Sequence, residues 1–327
     1  MSIGRIPSVD ALRGIAALSV CIFHFLTAPG SPYAHLTRET ALRFGGLGVQ
    51  SFFVISGFVV PLAMYRGGYA LADFPRFIAR RVVRLDPPYL ASIVIVLALN
   101  YVQRPTIFDS RLLVAPIVVL GHLFYGFSHL IWNFDWLNSV YWTLEIEFQY
   151  YVAIALLFPL LVSTKRWPAI AGVGFLAATS LAALTFLALF AWGVVFCFEL
   201  ALFMLTEGLW SRRAAFVAFA IIAPVSWVTV GQPATLVAIT TTMGIAWWKQ
   251  PPRLFTYLGA ISFSLYLVHV PVGGRLVFAA GRPGVTPLAA FVLVVAAFVA
   301  SFAVADLLWR FVERPAEAWA RRIRYRA

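Results

Sequence analysis

The chain has 327 residues, of which 62% are hydrophobic and only 12% charged, and its mean hydropathy is +0.88. This composition exceeds what a water-soluble core can use, so it excludes a soluble domain and predicts an all-α, polytopic membrane protein. A net charge of +12 would suggest nucleic acid in a soluble protein. Here the arginines lie between apolar segments, where they act as topology signals, so we expect a lipid bilayer and no nucleic acid as partner.

A requirement of about 20 apolar residues per crossing predicts about ten transmembrane helices. In chain order they are expected near residues 10–28, 45–64, 88–103, 143–162, 169–187, 191–209, 214–230, 234–248, 255–274 and 287–309. The stretch from Leu112 to Phe127 is also apolar, but Pro116, Gly121 and His122 interrupt it. We interpret it as a re-entrant or interfacial segment on the outer side, because a full crossing would reverse the topology after it.

Basic residues predict the orientation of these helices. With the N-terminus inside, eighteen of the 25 lysines and arginines fall on the cytoplasmic side and six on the outer side, as the positive-inside rule expects. Both termini are therefore predicted to be cytoplasmic. We expect one transmembrane domain over residues 1–327, a basic cytoplasmic tail over residues 310–327 that lies on the inner leaflet, and no appended soluble domain.

Arg13 and His24 both lie in the first apolar segment. Eleven helical positions separate them, which places the two side chains on one stripe of the helix and about 16 Å apart along it. Ionisable residues in a membrane helix are costly and usually face a protein interior or a wet cavity. This stripe therefore predicts a functional path at two depths of the membrane.

Helix rise places three titratable groups at one depth in the outer half of the membrane: His24, Glu147 and His269. A histidine and a carboxylate are the usual parts of a general base and its orienting partner. Glu145 is about 200° from Glu147 around its helix, so only one of the two can face a shared cavity. Cys21 and Cys197 lie far apart in apolar segments, and the sequence predicts no metal site.

Three arginines precede the third predicted span, at positions 80, 81 and 84. Guanidinium groups at this spacing form a fork-like site for anions and suit phosphates. An anion site inside and a base near the outer face describe a path across the membrane.

Six segments, in this order and on these spans, resemble the acyltransferase-3 family of integral membrane acyltransferases. They are Asp10-x-Leu-Arg13-Gly-x-Ala with His24; Gly48-Val-Gln-Ser-Phe-Phe-Val-Ile-Ser56-Gly57-Phe; Arg81-Val-Val-Arg84-Leu-Asp-Pro87-Pro-Tyr89; Trp142-Thr-Leu144-Glu-Ile-Glu147; Gly259-Ala-Ile-Ser262-Phe-Ser264-Leu-Tyr266-Leu-Val-His269; and Glu313-Arg-Pro315.

The resemblance implies an enzyme of the bacterial inner membrane that O-acylates lipopolysaccharide or other glycans of the cell envelope or secreted glycans. It implies an acyl-CoA donor, expected to be acetyl-CoA, that binds from the cytoplasm, and no tightly bound cofactor. Arg13, Arg81 and Arg84 match the donor-associated arginines of the family, and His24 matches its catalytic histidine. Glu147 matches the glutamate of the Trp-x-Leu-x-x-Glu pattern.

The two lines of reasoning together give a mechanistic hypothesis. His24 deprotonates an acceptor hydroxyl that enters from the outer side, and Glu147 orients the imidazole. We assign Trp142, Tyr266 and His269 to substrate binding. A covalent acyl-histidine relay is the alternative route for the acyl group.

Non-enzymatic functions are also compatible with buried polar residues. A transporter or flippase for an acyl donor or a lipid-linked glycan would use polar groups at two depths. The confinement of the arginine cluster to one face argues against that function, as does the lack of glycine-broken helix pairs.

Overall fold

The computed structural model describes residues 6–102, 118, 121–122, 136–163, 166–181 and 188–326. Throughout these ranges the regular structure is helical, with no strand. The helices are α1 Pro7–Thr27, α2 Ala34–Glu39, α3 Gly48–Arg66, α4 Phe74–Val102, α5 Trp142–Leu161, α6 Arg166–Leu181, α7 Ala188–Thr206, α8 Arg212–Thr229, α9 Gln232–Trp247, α10 Arg253–Ala260, α11 Ser262–Ala280, α12 Pro287–Leu308 and α13 Arg314–Ala320. Short 3₁₀ segments precede α3 and α4, and a π-helical segment, Trp309–Glu313, joins α12 to α13.

The predicted fold class is confirmed. Each of the ten predicted spans overlaps one of the long helices, and within the described residues seven helical segments are long and apolar enough to cross a membrane. These are Pro7–Thr27, Ala41–Arg66, Leu71–Val102, Trp142–Leu161, Arg212–Thr229, Ser262–Ala280 and Pro287–Ala320. The predicted re-entrant segment, 112–127, lies largely outside the described residues.

The third span begins earlier than predicted. The sequence suggested a basic connection up to Pro87, whereas α4 runs from Phe74 to Val102 with Pro87 and Pro88 inside it. Phe77, Arg81 and Leu85 are buried at intervals of four, so they form one stripe that packs against the rest of the protein. Tertiary packing of this stripe keeps the segment helical through two residues that cannot donate backbone hydrogen bonds. Arg81 therefore lies within a long helix and not in a loop.

The C-terminal tail is also more structured than predicted. The helical path continues through the π-helical segment to Ala320. Beyond it the chain folds back, where the backbone N–H of Arg326 donates to Asp73 Oδ1 at 2.9 Å and the Tyr325 ring lies 5.4 Å from that of Tyr69. These contacts hold the tail against the start of α4.

Two prolines lie inside helices, and at each of them a side chain from outside that helix donates a hydrogen bond to the backbone carbonyl that the proline leaves without a partner. A proline frees the carbonyl four residues before it. Pro159 leaves the carbonyl of Ala155 without its helical partner, and this carbonyl accepts a hydrogen bond from the Tyr69 hydroxyl at 3.0 Å. Burial raises the pKa of Tyr69 to about 12, so this hydroxyl keeps its proton at neutral pH. Pro271 frees the carbonyl of Leu267, which accepts from Asn138 Nδ2 at 2.8 Å. The second contact ties the loop before α5 to α11, close to His269.

Glycines hold α1 against its neighbours at both ends. A Cβ on Gly259 would overlap the backbone of Asp10, and a Cβ on Gly281 would overlap the backbone of Gly30. Backbones can approach this closely only where side chains are absent. The height of α1 is therefore fixed at two points on either side of His24, against α10 and against the end of α11.

Candidate functional site

A cavity lies among α1, α3, α4, α5 and α11. We call it the cationic cavity, because Arg13, Arg81 and Arg84 line it together. The predicted donor-associated arginines thus meet in space although 68 positions separate Arg13 from Arg81. Arg80 does not line the cavity. The remaining wall is largely apolar, and half of its residues come from α3, including Phe52 and Phe53.

Arg81 is the most buried of the three arginines, with 6% of its surface exposed. Its guanidinium lies 5.1 Å from the centroid of the Phe77 ring and 5.0 Å from that of Tyr151. Its Nε is buried and makes no hydrogen bond to any described part of the chain. Arg84, in contrast, forms an ion pair with Glu317 at 3.0 Å. A buried cation with a spare donor that faces a cavity is suited to bind an anion.

Glu147 contributes the acidic group of the cavity wall. One of its oxygens, Oε1, accepts from Ser56 Oγ at 3.0 Å and from the Tyr151 hydroxyl. Glu145 is buried and accepts from Gln149 Nε2 at 3.1 Å, away from the cavity. The prediction that only one of the two glutamates faces the cavity is confirmed. Sequence reasoning missed Ser56 and Tyr151 as partners, although Tyr151 lies one helical turn after Glu147.

His24 and His269 form a pair that links α1 to α11. His24 Nδ1 lies 2.8 Å from His269 Nε2, and His269 Nδ1 lies 2.9 Å from the carbonyl oxygen of Leu265. The two rings are nearly parallel, with centroids 5.0 Å apart. His269 is fully buried, whereas His24 is partly exposed. The predicted common depth of these two histidines is thus matched by direct contact.

The hydrogen bond between Glu147 and His24 that the sequence predicted is not seen in the structure. Glu147 shares no hydrogen bond with His24, and His269 holds the position that the sequence assigned to the glutamate. Helix rise sets the depth of a residue, but the direction in which its side chain points depends on how the helices pack. Glu147 points into the cavity instead.

Tyr266 connects the cavity to the histidine pair. It lines the cavity, and its ring centroid lies 6.0 Å from that of His269, one turn along α11. Its hydroxyl lies 2.8 Å from Thr143 Oγ1, and its ring meets that of Phe52 edge-on. A ligand that extends from the arginines towards His24 would therefore pass Tyr266. Trp142, also predicted to bind substrate, does not line the cavity and lies beside Trp192, with 6.4 Å between ring centroids.

Glu313 is brought to the site region from the C-terminal end of the chain. It ends the π-helical segment, accepts from Ser264 N at 3.2 Å and from Ser264 Oγ at 2.6 Å, and is 4% exposed. A carboxylate in the first turn of a helix satisfies backbone donors that have no partner within that helix. π-Helical turns are frequent at functional sites. The Glu-Arg-Pro segment therefore fixes the start of α11, which carries Tyr266 and His269.

Several apolar helices around a buried polar site define a multi-pass membrane protein. A model of the acyltransferase-3 family, described as an acyltransferase domain, matches residues 6–310. The chain belongs to this family.

Relatives of the chain include two differently named proteins. The O-acetyltransferase OatA of Staphylococcus aureus is 29% identical over 169 residues, which cover 48% of this chain and 25% of OatA. The membrane-bound transacylase BcsY of Komagataeibacter xylinus is 26% identical over 312 residues, which cover 82% of this chain and 72% of BcsY. The matched region thus spans about a quarter of the length of OatA. No solved structure matches the chain.

Proposed function

We propose that this protein is a membrane O-acyltransferase that moves an acyl group, with acetyl as the expected group, from cytoplasmic acyl-CoA to a hydroxyl of a glycan or glycan-like acceptor at the outer side. The observation that carries the proposal is the cationic cavity, with three arginines on its wall and Tyr266 leading to the histidine pair. Family membership and the names of OatA and BcsY support acyl transfer.

The donor fits the distribution of charge in the cavity. The phosphates of CoA would contact Arg13, Arg81 and Arg84, and guanidinium groups bind phosphates with paired hydrogen bonds. The pantetheine arm is long and mostly apolar apart from its two amides and one hydroxyl. It would follow the α3 wall, so that the thioester passes Tyr266 and reaches His24. The excess of arginine on one face of the membrane supports entry from the cytoplasm.

His24 serves as the general base of the transfer step. Its Nε2 takes the proton of the acceptor hydroxyl while the acceptor oxygen attacks the thioester carbonyl. The tetrahedral intermediate collapses by breaking the carbon–sulfur bond, and the CoA thiolate takes the proton back from His24. The products are the O-acylated acceptor and free CoA, and the histidine returns to its neutral form.

Glu147 would act on the donor and not on the base. Its carboxylate lies in the cavity wall, and its hydrogen bonds to described residues, from Ser56 and Tyr151, both go to Oε1. We assign Oε2 to an amide N–H of the pantetheine arm.

Replacing Glu147 with alanine is expected to raise the KM roughly 10-fold for acetyl-CoA and for acetyl-pantetheine alike, because a hydrogen bond to a charged group contributes about 1.5–3 kcal/mol. Glu145→Gln is the matched control, since this buried residue faces away from the cavity, and both KM values should stay unchanged. Steady-state CoA release with the two donors measures this. A lower kcat at unchanged KM would instead support the role in orienting His24 that the sequence suggested.

The sidedness of the reaction tests the proposed function directly. Inverted membrane vesicles, which expose the cytoplasmic face, should release CoA from added acetyl-CoA, with water accepting the acetyl group in place of the acceptor hydroxyl. Right-side-out vesicles should not, since CoA does not cross lipid. Equal release from both orientations would overturn cytoplasmic entry. Passage of labelled acetyl-CoA across the membrane without CoA release would identify a transporter in place of an enzyme. Stable label on His24 without acceptor would favour the acyl-histidine relay.

A further inference from the structure

We propose that His269 is a positioning residue that fixes the tautomer of His24, and that the backbone carbonyl of Leu265 fixes the tautomer of His269 in turn. The inference rests on the proposed function, in which His24 is the base. It replaces the assignment of His269 to substrate binding, because both ring nitrogens of His269 are engaged within the protein.

The contacts of the two histidines determine which of their ring nitrogens donate a hydrogen bond and which accept one. The carbonyl oxygen of Leu265 can only accept, so His269 Nδ1, at 2.9 Å, carries a hydrogen. A neutral imidazole has one N–H, which makes His269 Nε2 an acceptor. His24 Nδ1, at 2.8 Å from that nitrogen, must therefore be the donor. The lone pair of His24 is left on Nε2, the nitrogen without a protein partner in the described part of the chain.

The surroundings hold His269 in place. It is fully buried, and its ring lies between those of Phe25, at 6.2 Å, and Tyr266, at 6.0 Å. The close backbone contacts at Gly259 and Gly281 fix the height of α1 against its neighbours on both sides of His24. A ring locked by packing and by a backbone acceptor cannot turn to offer its other nitrogen, so it imposes one tautomer on its partner.

The contact between His24 and His269 also stabilises the positive charge that forms on His24 during acyl transfer. When His24 Nε2 takes a proton, the imidazolium donates through Nδ1 to a neutral imidazole, and that hydrogen bond becomes charge-assisted. In the serine protease triad a carboxylate performs this task. Neither His24 nor His269 contacts a carboxylate among the described residues. The pair therefore carries at most one positive charge, which it shares between two rings.

The test compares three variants in membrane vesicles with acetyl-CoA as donor. His269→Ala should lower the kcat for CoA release about 10²- to 10⁴-fold, as loss of the orienting group does in catalytic triads, and leave the KM for acetyl-CoA within about two-fold of the wild type. His269→Gln should recover part of the rate, because its amide oxygen can accept from His24 Nδ1. His35→Ala, an exposed histidine on α2, should behave as the wild type.

A spectroscopic measurement separates positioning from a general structural effect. Nitrogen NMR of protein labelled at histidine should show hydrogen on Nδ1 of His24 in the wild type and in His269→Gln, and a mixture of tautomers in His269→Ala. The His24 signals are identified by their loss in His24→Gln. A single unchanged tautomer of His24 in folded His269→Ala would overturn the inference. If His269→Ala fails to fold, the glutamine variant carries the test, and a mixture of His24 tautomers in that variant would overturn the inference.

Failure of this inference can be told apart from failure of the proposed function. Normal kcat in a folded His269 variant, together with inactive His24→Ala, would remove the role of His269 and leave His24 as the base. A raised KM with unchanged kcat would return His269 to substrate binding. Normal activity in His24→Ala would overturn the proposed function itself.

Discussion

Replacing His24 with alanine is expected to lower CoA release from acetyl-CoA about 10²- to 10⁴-fold, the range that general-base catalysis contributes. Within the described residues His269 is the histidine that contacts His24, and it cannot replace it as the base because both of its ring nitrogens are engaged. Binding of acetyl-CoA should be unchanged, because His24 does not line the cationic cavity. Turnover and binding are measured on the same preparation.

Two further variants define the result for His24. His24→Gln preserves a polar side chain and should also be inactive, which separates loss of the base from a cavity in α1. His35→Ala removes an exposed histidine and should retain full activity. Elution as a single species in detergent establishes that each variant is folded. Near-normal CoA release from folded His24→Ala would contradict the assignment of the base.

Replacing Arg81 with alanine is expected to raise the KM for acetyl-CoA roughly 10- to 100-fold, because a hydrogen bond to a charged group contributes about 1.5–3 kcal/mol. The effect should be large at this arginine, which is buried and has an unused Nε. Arg84 already forms an ion pair with Glu317. The kcat at saturating donor should fall much less than the affinity.

A comparison of acetyl-CoA with acetyl-pantetheine, which lacks the nucleotide phosphates, tests whether Arg81 binds phosphate. Wild-type protein should prefer acetyl-CoA over acetyl-pantetheine, and Arg81→Ala should lose most of that preference. Arg81→Lys should be intermediate, because lysine keeps the charge but lacks the planar fork and its contacts with Phe77 and Tyr151. Arg80→Ala removes a neighbouring positive charge that does not line the cavity, and it should change the KM for acetyl-CoA by about two-fold or less. Equal weakening of both donors by Arg81→Ala would contradict phosphate binding.

The two variants should therefore show opposite patterns. His24→Ala keeps donor binding and loses turnover, whereas Arg81→Ala loses binding and keeps turnover at saturation. Glu147→Ala should resemble Arg81→Ala with acetyl-CoA but differ with acetyl-pantetheine, which retains the amides and lacks the nucleotide phosphates. This contrast distinguishes the phosphate end of the cavity from the pantetheine wall.

The sequence by itself determined the helical membrane class, the approximate spans, and the arginines and histidines that the structure brings together. Hydropathy acts locally, and a charged residue in an apolar helix is costly wherever that helix packs. Arg13, Arg81 and Arg84 could therefore be singled out before their meeting in one cavity was visible. Helix rise likewise gave the shared depth of His24 and His269.

Only the tertiary structure decided which of these groups touch. The rotation and tilt of each helix follow from side-chain packing over the whole bundle, and these angles turn Glu147 into the cavity and His269 towards His24. Packing also carries α4 through Pro87, and the π-helical turn brings Glu313 to the start of α11. Depth is a property of one helix, whereas contact is a property of several, which is why the chain predicted the members of the site but not their pairing.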